Sequence, residues 1–199
     1  MRTLLALVLW NCLVTGPVHG QLGIGGEVTL GFYGGASLDT TTGSFGAGFR
    51  PYRPVLYTVR PEWRTGRVGV ALGLTYGQPD IVEEGEPVSI VVHVPTRLLE
   101  VAPEISVGIW RTSAGMRIRI HAGPLVDVWQ LPGEDALRSR PGGHGAVSAE
   151  FPALGKVQAV LRAELVLTGA LWTDADLPPG FETRNMHRFG LGLGLRYGR

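Results

Sequence analysis

Residues 98–110, LLEVAPEISVGIW, alternate between apolar side chains and small or charged ones at every second position. One face of an extended chain would carry Leu99, Val101, Ile105, Val107 and Ile109, and the other Glu100, Ala102, Glu104, Ser106 and Gly108. Because a strand directs successive side chains to opposite faces, this period of two predicts a β-strand with one apolar and one polar face.

The next segment, MRIRIHAGPLVDV (116–128), repeats the alternation after the short polar stretch RTSAG (111–115). Two alternating segments joined by a short turn with a late glycine predict an antiparallel hairpin. The same pattern recurs in 67–77, 156–171 and 185–198. No long segment has the apolar spacing of a helix preceded by a cap, so an all-β chain is expected.

The connections between these segments alternate in length. Three are tight, at 64–67, 111–115 and 154–156, and four are longer, at about 35–42, 78–97, 130–142 and 172–184. This order predicts an eight-stranded antiparallel up-and-down transmembrane β-barrel with short periplasmic turns and longer external loops. The expected strands are 22–34, 43–63, 67–77, 98–110, 115–129, 143–153, 156–171 and 185–198.

The second of these strands, 43–63, exceeds the 9–11 residues or so that cross a bilayer. It also contains Pro51, Pro54 and Pro61, and Pro103 and Pro124 interrupt two other strands. Proline has no N–H for the strand ladder, so bulges or positions at the barrel rim are expected there.

Residues 1–20 are typical of a secretory signal peptide, with Arg2 followed by an apolar stretch and by small or apolar residues before Gln21. The barrel domain would then be 21–199. Cys12, the single cysteine, falls in the leader, which leaves the mature chain without disulfides or thiol chemistry.

If the apolar face meets lipid, the opposite face lines the lumen, and strand parity assigns it nearly equal numbers of acids and arginines. The interior of an eight-stranded barrel is filled by side chains, and buried charges must be paired. The sequence therefore predicts a plugged, water-threaded lumen network of Glu27, Arg60, Glu62, Glu100, Glu104, Arg117, Arg119, His121, Asp127, Glu150, Arg162, Glu164, Arg188 and Arg196. A narrow ion path gated by some of these charges is the alternative.

Aromatic side chains fall near predicted strand ends, as the interfacial girdles of a membrane barrel require. Trp63 and Tyr197 lie near tight turns and Tyr76 lies beside a long loop. By strand parity, Trp110, Trp129 and Trp172 point inward.

No catalytic, metal or cofactor site is expected. His144, Ser148 and Glu150 share one strand face, but His144 and Ser148 would lie about 13 Å apart, too far for a hydrogen bond. His93 and His187 have no matching ligands nearby in the sequence, and the acidic loop 81–87 is expected to be solvated rather than to bind a cation. The glycine-rich stretches precede no helix and so do not form phosphate loops.

Composition excludes two further classes. The net charge of +1 gives no electrostatic basis for nucleic-acid binding, and no run of 18 apolar residues follows the leader, as a membrane helix would require.

Leu99, Glu100 and Pro103, followed by Ala122, Gly123 and Pro124, resemble paired strands of the small outer-membrane β-barrel families, the porin-like and opacity-like barrels. The terminal FGLGLGLRYGR is similar to their closing strand, although it ends on Gly198 and Arg199 rather than on an aromatic residue. The resemblance implies insertion into outer-membrane lipid by the barrel-assembly machinery, which recognises that strand. It implies no catalytic residue.

These features predict a non-enzymatic bacterial outer-membrane protein with a structural or surface-contact role and an unidentified external partner. Two alternatives remain open at this point. One is a narrow porin-like channel for ions or small solutes. The other is a soluble periplasmic barrel that binds an apolar ligand, in which the apolar face would point inward.

Overall fold

The computed structural model describes residues 20–39, 48–84, 89–92, 96–133 and 136–198. Eight strands form a closed antiparallel barrel in which each strand pairs with its neighbours along the chain. They are β1 (Gln21–Asp39), β3 (Val55–Thr65), β4 (Val68–Gly77), β7 (Arg97–Arg111), β8 (Arg117–Gln130), β9 (Arg138–Leu154), β10 (Val157–Thr168) and β11 (Phe181–Gly198). Pairing of β1 with β11 closes the barrel, and the predicted fold class is confirmed.

Three further strands lie outside the barrel. They are β2 (Gly48–Tyr52), β5 (Asp80–Glu84) and β6 (Ser89–Val92), and they form a separate antiparallel sheet in the order β2-β5-β6. A single turn of 3-10 helix spans Asp174–Asp176. Among the described residues, no helix is long and apolar enough to cross a membrane.

The predicted second strand, 43–63, is wrong. Its first part lies outside the described residues, and the rest is divided between β2 and β3, which belong to different sheets. The division falls at Arg53 and Pro54, where Arg53 takes a positive φ of 26° and Pro54 has no N–H to donate. The Pro54 carbonyl still accepts a 2.9 Å hydrogen bond from Gly31 N, so the contact with β1 begins one residue before β3.

The long loops are also partly structured, which sequence alternation did not predict. The expected loop 78–97 contains β5 and β6, and barrel strands begin at Arg138 and Phe181, inside the expected loops 130–142 and 172–184. β1, β9 and β11 have 19, 17 and 18 residues, so they exceed the 9–11 residues or so that cross a bilayer, and the excess lies at the end that carries the long connections. We call this the long-loop end.

The first residue of β1, the last residue of β11 and the three tight turns lie at the opposite end of the barrel, which we call the short-turn end. Gly66, Gly115 and Gly155 take φ values of +57°, +88° and +58° in these turns, a conformation that favours glycine. The predicted tight connections therefore lie where the sequence placed them.

The apolar side chains of the barrel strands point outward. The exposed large residues include Val28, Leu30, Val59, Val70, Leu72, Leu74, Leu99, Ile105, Val107, Leu161, Leu165, Leu191 and Leu193. A continuous apolar exterior is typical of a barrel surrounded by lipid. The soluble-barrel alternative requires the opposite arrangement, with the apolar face inside.

Aromatic residues mark both edges of this apolar exterior. Trp63, Trp110 and Tyr197 are exposed near the short-turn end, and Tyr57 and Tyr76 are exposed toward the long-loop end. The inward prediction for Trp110 is wrong, because the β7–β8 register shifts between Gly108 and Trp110 and reverses the parity of the strand end. Trp129 is fully buried, as its parity predicts.

Three of the five prolines lie on the outer face of the barrel, Pro54 lies at the β2–β3 junction, and Pro51 is buried within β2 opposite Ile81. Pro103 and Pro124 are both exposed, and the pairing of β7 with β8 is interrupted between Val101 and Ile105, where they fall in the same register. Pro61 is exposed on β3 opposite Ile24. The barrel remains closed despite the ladder donors that these prolines lack.

Candidate functional site

The barrel interior holds the charged side chains that strand parity assigned to it. All of the predicted set are buried except Arg60 and Arg117, which are half-buried. The interior also contains Arg64 and His144, which the predicted network omits. The sequence predicts Arg64 in the tight turn 64–67, but β3 continues through Thr65 and directs Arg64 inward. His144 lies at the same strand parity as Ser148 and Glu150, so the alternation pattern also indicates that its side chain points into the lumen.

Glu104 is the centre of the interior. Its carboxylate lies 2.8 Å from an Arg162 terminal nitrogen and 3.4 Å from Arg60 Nε. The Nδ1 atom of His121 and the Nε2 atom of His144 lie 3.0 and 3.3 Å from its two oxygens. Four side chains from β3, β8, β9 and β10 therefore converge on one carboxylate from β7, which ties the strands together across the lumen.

A second group of ion pairs lies nearer the long-loop end. Arg188, which is 1% exposed, lies 2.8 Å from Glu100 and 2.9 Å from Glu164, and it donates a 3.2 Å hydrogen bond to the Tyr33 hydroxyl. Asp127 lies opposite Glu100 in the β7–β8 register. Because the Arg188 guanidinium meets two carboxylates at once, its planar fork suits the position better than an ammonium group would.

A third group lies toward the short-turn end. Arg64 donates two hydrogen bonds, of 2.8 and 2.6 Å, to the two oxygens of Glu150, and its Nε donates another of 2.9 Å to Glu62. Arg196 also pairs with Glu62. The Arg64–Glu150 pair is bidentate, which makes it stronger than a single-contact ion pair, and it joins β3 to β9. The Arg196–Glu62 pair joins β11 to β3.

Interior glycines provide the space for these long side chains. A Cβ atom at Gly190 would lie 2.8 Å from Glu164 Cγ and 2.9 Å from Thr29 Cγ2. A Cβ atom at Gly192 would lie 2.5 Å from the nearer carboxylate oxygen of Glu27. Gly190 and Gly192 in β11 therefore leave room for the side chains of Glu164 and Glu27.

An apolar cluster closes the interior at the long-loop end. Its buried members come from β1, β3, β7, β8 and β11 and from the two loops beside them. We call it the apolar lid, and it consists of Tyr33, Ala36, Leu56, Leu98, Trp129, Leu131, Leu171 and Met186. Several of these residues occupy lumen positions of the barrel strands, so they fill the mouth above the charges. No sequence pattern marked this cluster, because its residues are scattered over distant segments.

His144 and Ser148, which share one face of β9, contact different partners in the interior. His144 contacts Glu104, whereas Ser148 Oγ lies 2.8 Å from His121 Nε2, and His121 Nδ1 lies 3.0 Å from Glu104. This Ser–His–Glu chain crosses three strands, and only the strand register reveals it. The cavity beside it has a volume of about 30 Å³, room for about two water molecules and not for an acyl substrate.

Within the described residues, no group of three or more His, Cys, Asp or Glu side chains is arranged to hold a metal ion. His93 and the part of the acidic loop from 85 to 87 lie outside the described residues, as do Cys12 and the predicted leader up to residue 19.

An eight-stranded closed barrel with an apolar exterior, a charged interior and short turns at one end is the fold of the small outer-membrane β-barrels. Comparison with solved structures gives the same fold. Neisserial surface protein A has a TM-score of 0.61 at 10% identity, with 88% of this chain and 96% of that chain covered. OprG from Pseudomonas aeruginosa has a TM-score of 0.56 at 9% identity, with 90% and 95% covered.

A major outer membrane protein from Thermus thermophilus has a TM-score of 0.51 at 12% identity, with 91% of this chain and 100% of that chain covered. No protein-family model matches the sequence, and comparison with curated protein sequences gave no match. At these identities the likeness establishes the fold and assigns no activity.

Proposed function

We propose that this chain is a non-enzymatic bacterial outer-membrane protein whose barrel is a sealed anchor and whose long-loop end is a contact surface. The observation that carries the proposal is the filling of the interior. Ion pairs centred on Glu104 and Arg188 occupy the lumen, and the apolar lid covers them. Opening a path would require separating buried ion pairs, which is costly because each charge would be left without its partner.

The long-loop end offers the surface for contact. β6 is an edge strand of the small sheet, and its Ile90, Val91 and Val92 are exposed. Edge strands with exposed apolar side chains present unpaired backbone groups to other chains. The external partner is therefore expected to bind here rather than in the lumen.

The remaining parts of the proposal concern delivery. Residues 1–20 serve as a cleaved signal peptide, and the closing strand β11 is recognised by the barrel-assembly machinery. Outer-membrane lipid then surrounds the apolar exterior, with the short turns in the periplasm. The supporting features are the composition of the leader, the alternation in β11 and the exposed apolar belt.

Planar-bilayer recording with the purified mature protein tests the sealed lumen. Insertion is first verified in vesicles of the same lipid by protection of the barrel from protease. The proposal predicts no steady conductance from inserted protein. A steady, large conductance from every inserted molecule would contradict the sealed lumen and favour a narrow porin-like channel.

A further inference from the structure

The interior charges are not evenly distributed along the barrel axis. Near the short-turn end the buried carboxylates are Glu62 and Glu150. Glu62 pairs with Arg64 and Arg196, and Glu150 pairs with Arg64. Three further arginines, Arg111, Arg117 and Arg119, lie at this end of the barrel. Among the described residues none of the three forms an ion pair, although Glu150, which Arg64 holds, faces Arg117 in the β8–β9 register.

These three arginines share one face. Arg111 lies directly opposite Arg117 in the β7–β8 register, and Arg119 follows on the same side of β8. The bulge after Gly108 is what turns Arg111 to this side, while Trp110 points outward. Opposed residues on antiparallel strands have Cα atoms about 4.5–5.5 Å apart, and like charges placed there repel each other.

The innermost of the three is held in place. Arg119 is 2% exposed, and one terminal nitrogen donates hydrogen bonds of 2.9 Å to Ser106 Oγ and 3.1 Å to the Arg67 carbonyl. Gly108 keeps space for it, since a Cβ atom there would lie 3.2 Å from the other terminal nitrogen. The Nε atoms of Arg117 and Arg119 are buried and have no hydrogen-bond partner among the described residues.

We propose that Arg111, Arg117 and Arg119 form a binding site for a phosphate group at the short-turn rim of the barrel. A tetrahedral oxyanion accepts forked hydrogen bonds from guanidinium groups and offsets the repulsion between Arg111 and Arg117. Arg119 provides a buried, fixed donor, and the more exposed Arg111 and Arg117 close on the anion from the rim. Nothing in this site depends on the external surface or on the conductance of the lumen.

The location of the site indicates two sources of phosphate. Trp110 is 51% exposed on the lipid side beside Arg111, a position typical of the boundary between lipid and water. The phosphate of a phospholipid headgroup and free phosphate in solution therefore both reach the rim, and they present the same chemistry to it.

Isothermal titration calorimetry of the purified full chain in a phosphate-free non-ionic detergent tests the site. Inorganic phosphate is titrated in one arm. In a second arm, mixed micelles that contain phosphatidylglycerol are compared with micelles that contain diacylglycerol of the same chains. The proposal predicts saturable binding in at least one arm, and binding about tenfold weaker in Arg117→Gln and in Arg111→Gln.

Arg97→Gln is the matched control, because Arg97 is exposed at the other end of β7 and should leave binding unchanged. Arg111 is exposed at the rim, so its substitution keeps the test valid if Arg117→Gln fails to fold. Binding in the lipid arm alone assigns the site to a headgroup, and binding in both arms assigns it to phosphate in general. Absence of binding in both arms, or binding that both rim variants retain, would overturn the proposal.

Discussion

Arg162 and Glu104 form a 2.8 Å ion pair across the middle of the barrel, and each side chain is 2% exposed. Glu104 also lies 3.4 Å from Arg60, so this carboxylate balances charge from two strands. Removing one partner of a buried ion pair leaves the other charge unpaired in a medium that solvates it poorly. The stability of the barrel should therefore depend strongly on this one residue.

Replacement of Glu104 by glutamine, Glu104→Gln, keeps the shape of the side chain and removes its charge. We expect the free energy of unfolding to fall by about 3–5 kcal/mol, measured by urea titration of the protein in lipid vesicles. Glu182→Gln is the control, since its pair with Arg184 is exposed and is worth about 0–1 kcal/mol. Equal effects of the two substitutions would show that the interior network does not hold the barrel together.

Gly190→Ala tests whether the interior glycines are needed for the ion pairs. The added methyl group would contact Glu164 Cγ and Thr29 Cγ2 and push Glu164 away from Arg188. A loss of about 1–3 kcal/mol in the free energy of unfolding is expected. At Gly26 a Cβ atom would meet nothing within 4 Å, so Gly26→Ala should be neutral. A neutral Gly190→Ala would mean that the interior has unfilled space.

The loop after β10 is held by Asp176. Arg138 donates two hydrogen bonds, of 2.5 and 3.0 Å, to this carboxylate, and Thr173 donates from its backbone and its hydroxyl. These contacts, with the Arg138 hydrogen bonds first among them, hold the pKa of Asp176 well below its usual range. The unfolded carboxyl keeps its ordinary pKa of 3.8, so the stabilisation is complete above that pH and is lost as the pH falls below it.

Limited proteolysis of the loop with an acid-active protease should therefore be slow above pH 3.8 and accelerate as the pH falls below it, after correction for the pH profile of the protease. Asp176→Asn should make the loop sensitive at every pH. Asp174→Asn is the control, because Asp174 accepts a 3.2 Å hydrogen bond from the Thr183 hydroxyl that an asparagine oxygen can also accept. If Asp176→Asn left the cleavage rate unchanged, Arg138 would not be fixing this loop.

Cysteine labelling tests which end of the barrel faces the outside. The predicted mature chain has no cysteine of its own, so Ile90→Cys and Ser113→Cys each give a single thiol. A membrane-impermeant maleimide should label Ile90→Cys on intact cells and label Ser113→Cys only after the outer membrane is permeabilised. The reverse result would contradict the assignment of the long-loop end to the cell exterior.

Much of the architecture follows from side-chain alternation alone. Because the period of a strand is two, Glu100 and Glu104 have to share a face, and the order of tight and long connections gives the strand count. Alternation fails where an extra residue enters a strand. The bulge after Gly108 turns Trp110 to the outer face, opposite to its predicted direction. The chain also breaks at the positive φ of Arg53, so that residues predicted as one strand belong to two sheets.

The partners within the interior could not be read from the sequence. His121 meets Ser148 and Glu104 because of the register between β7, β8 and β9, which sequence patterns do not fix. The apolar lid was missed for a similar reason. Leu56, Leu98 and Trp129 are apolar residues at lumen positions, and only the closed barrel brings them together.

The behaviour of the protein extracted from cell envelopes tests most directly whether the barrel spans the outer membrane. Small transmembrane barrels resist unfolding in mild detergent, so folded and boiled samples migrate differently in gel electrophoresis. We expect the mature chain to fractionate with the outer membrane, to require detergent for release, and to migrate faster unboiled than boiled. Release of the protein without detergent, with identical migration before and after boiling, would contradict a membrane-spanning barrel.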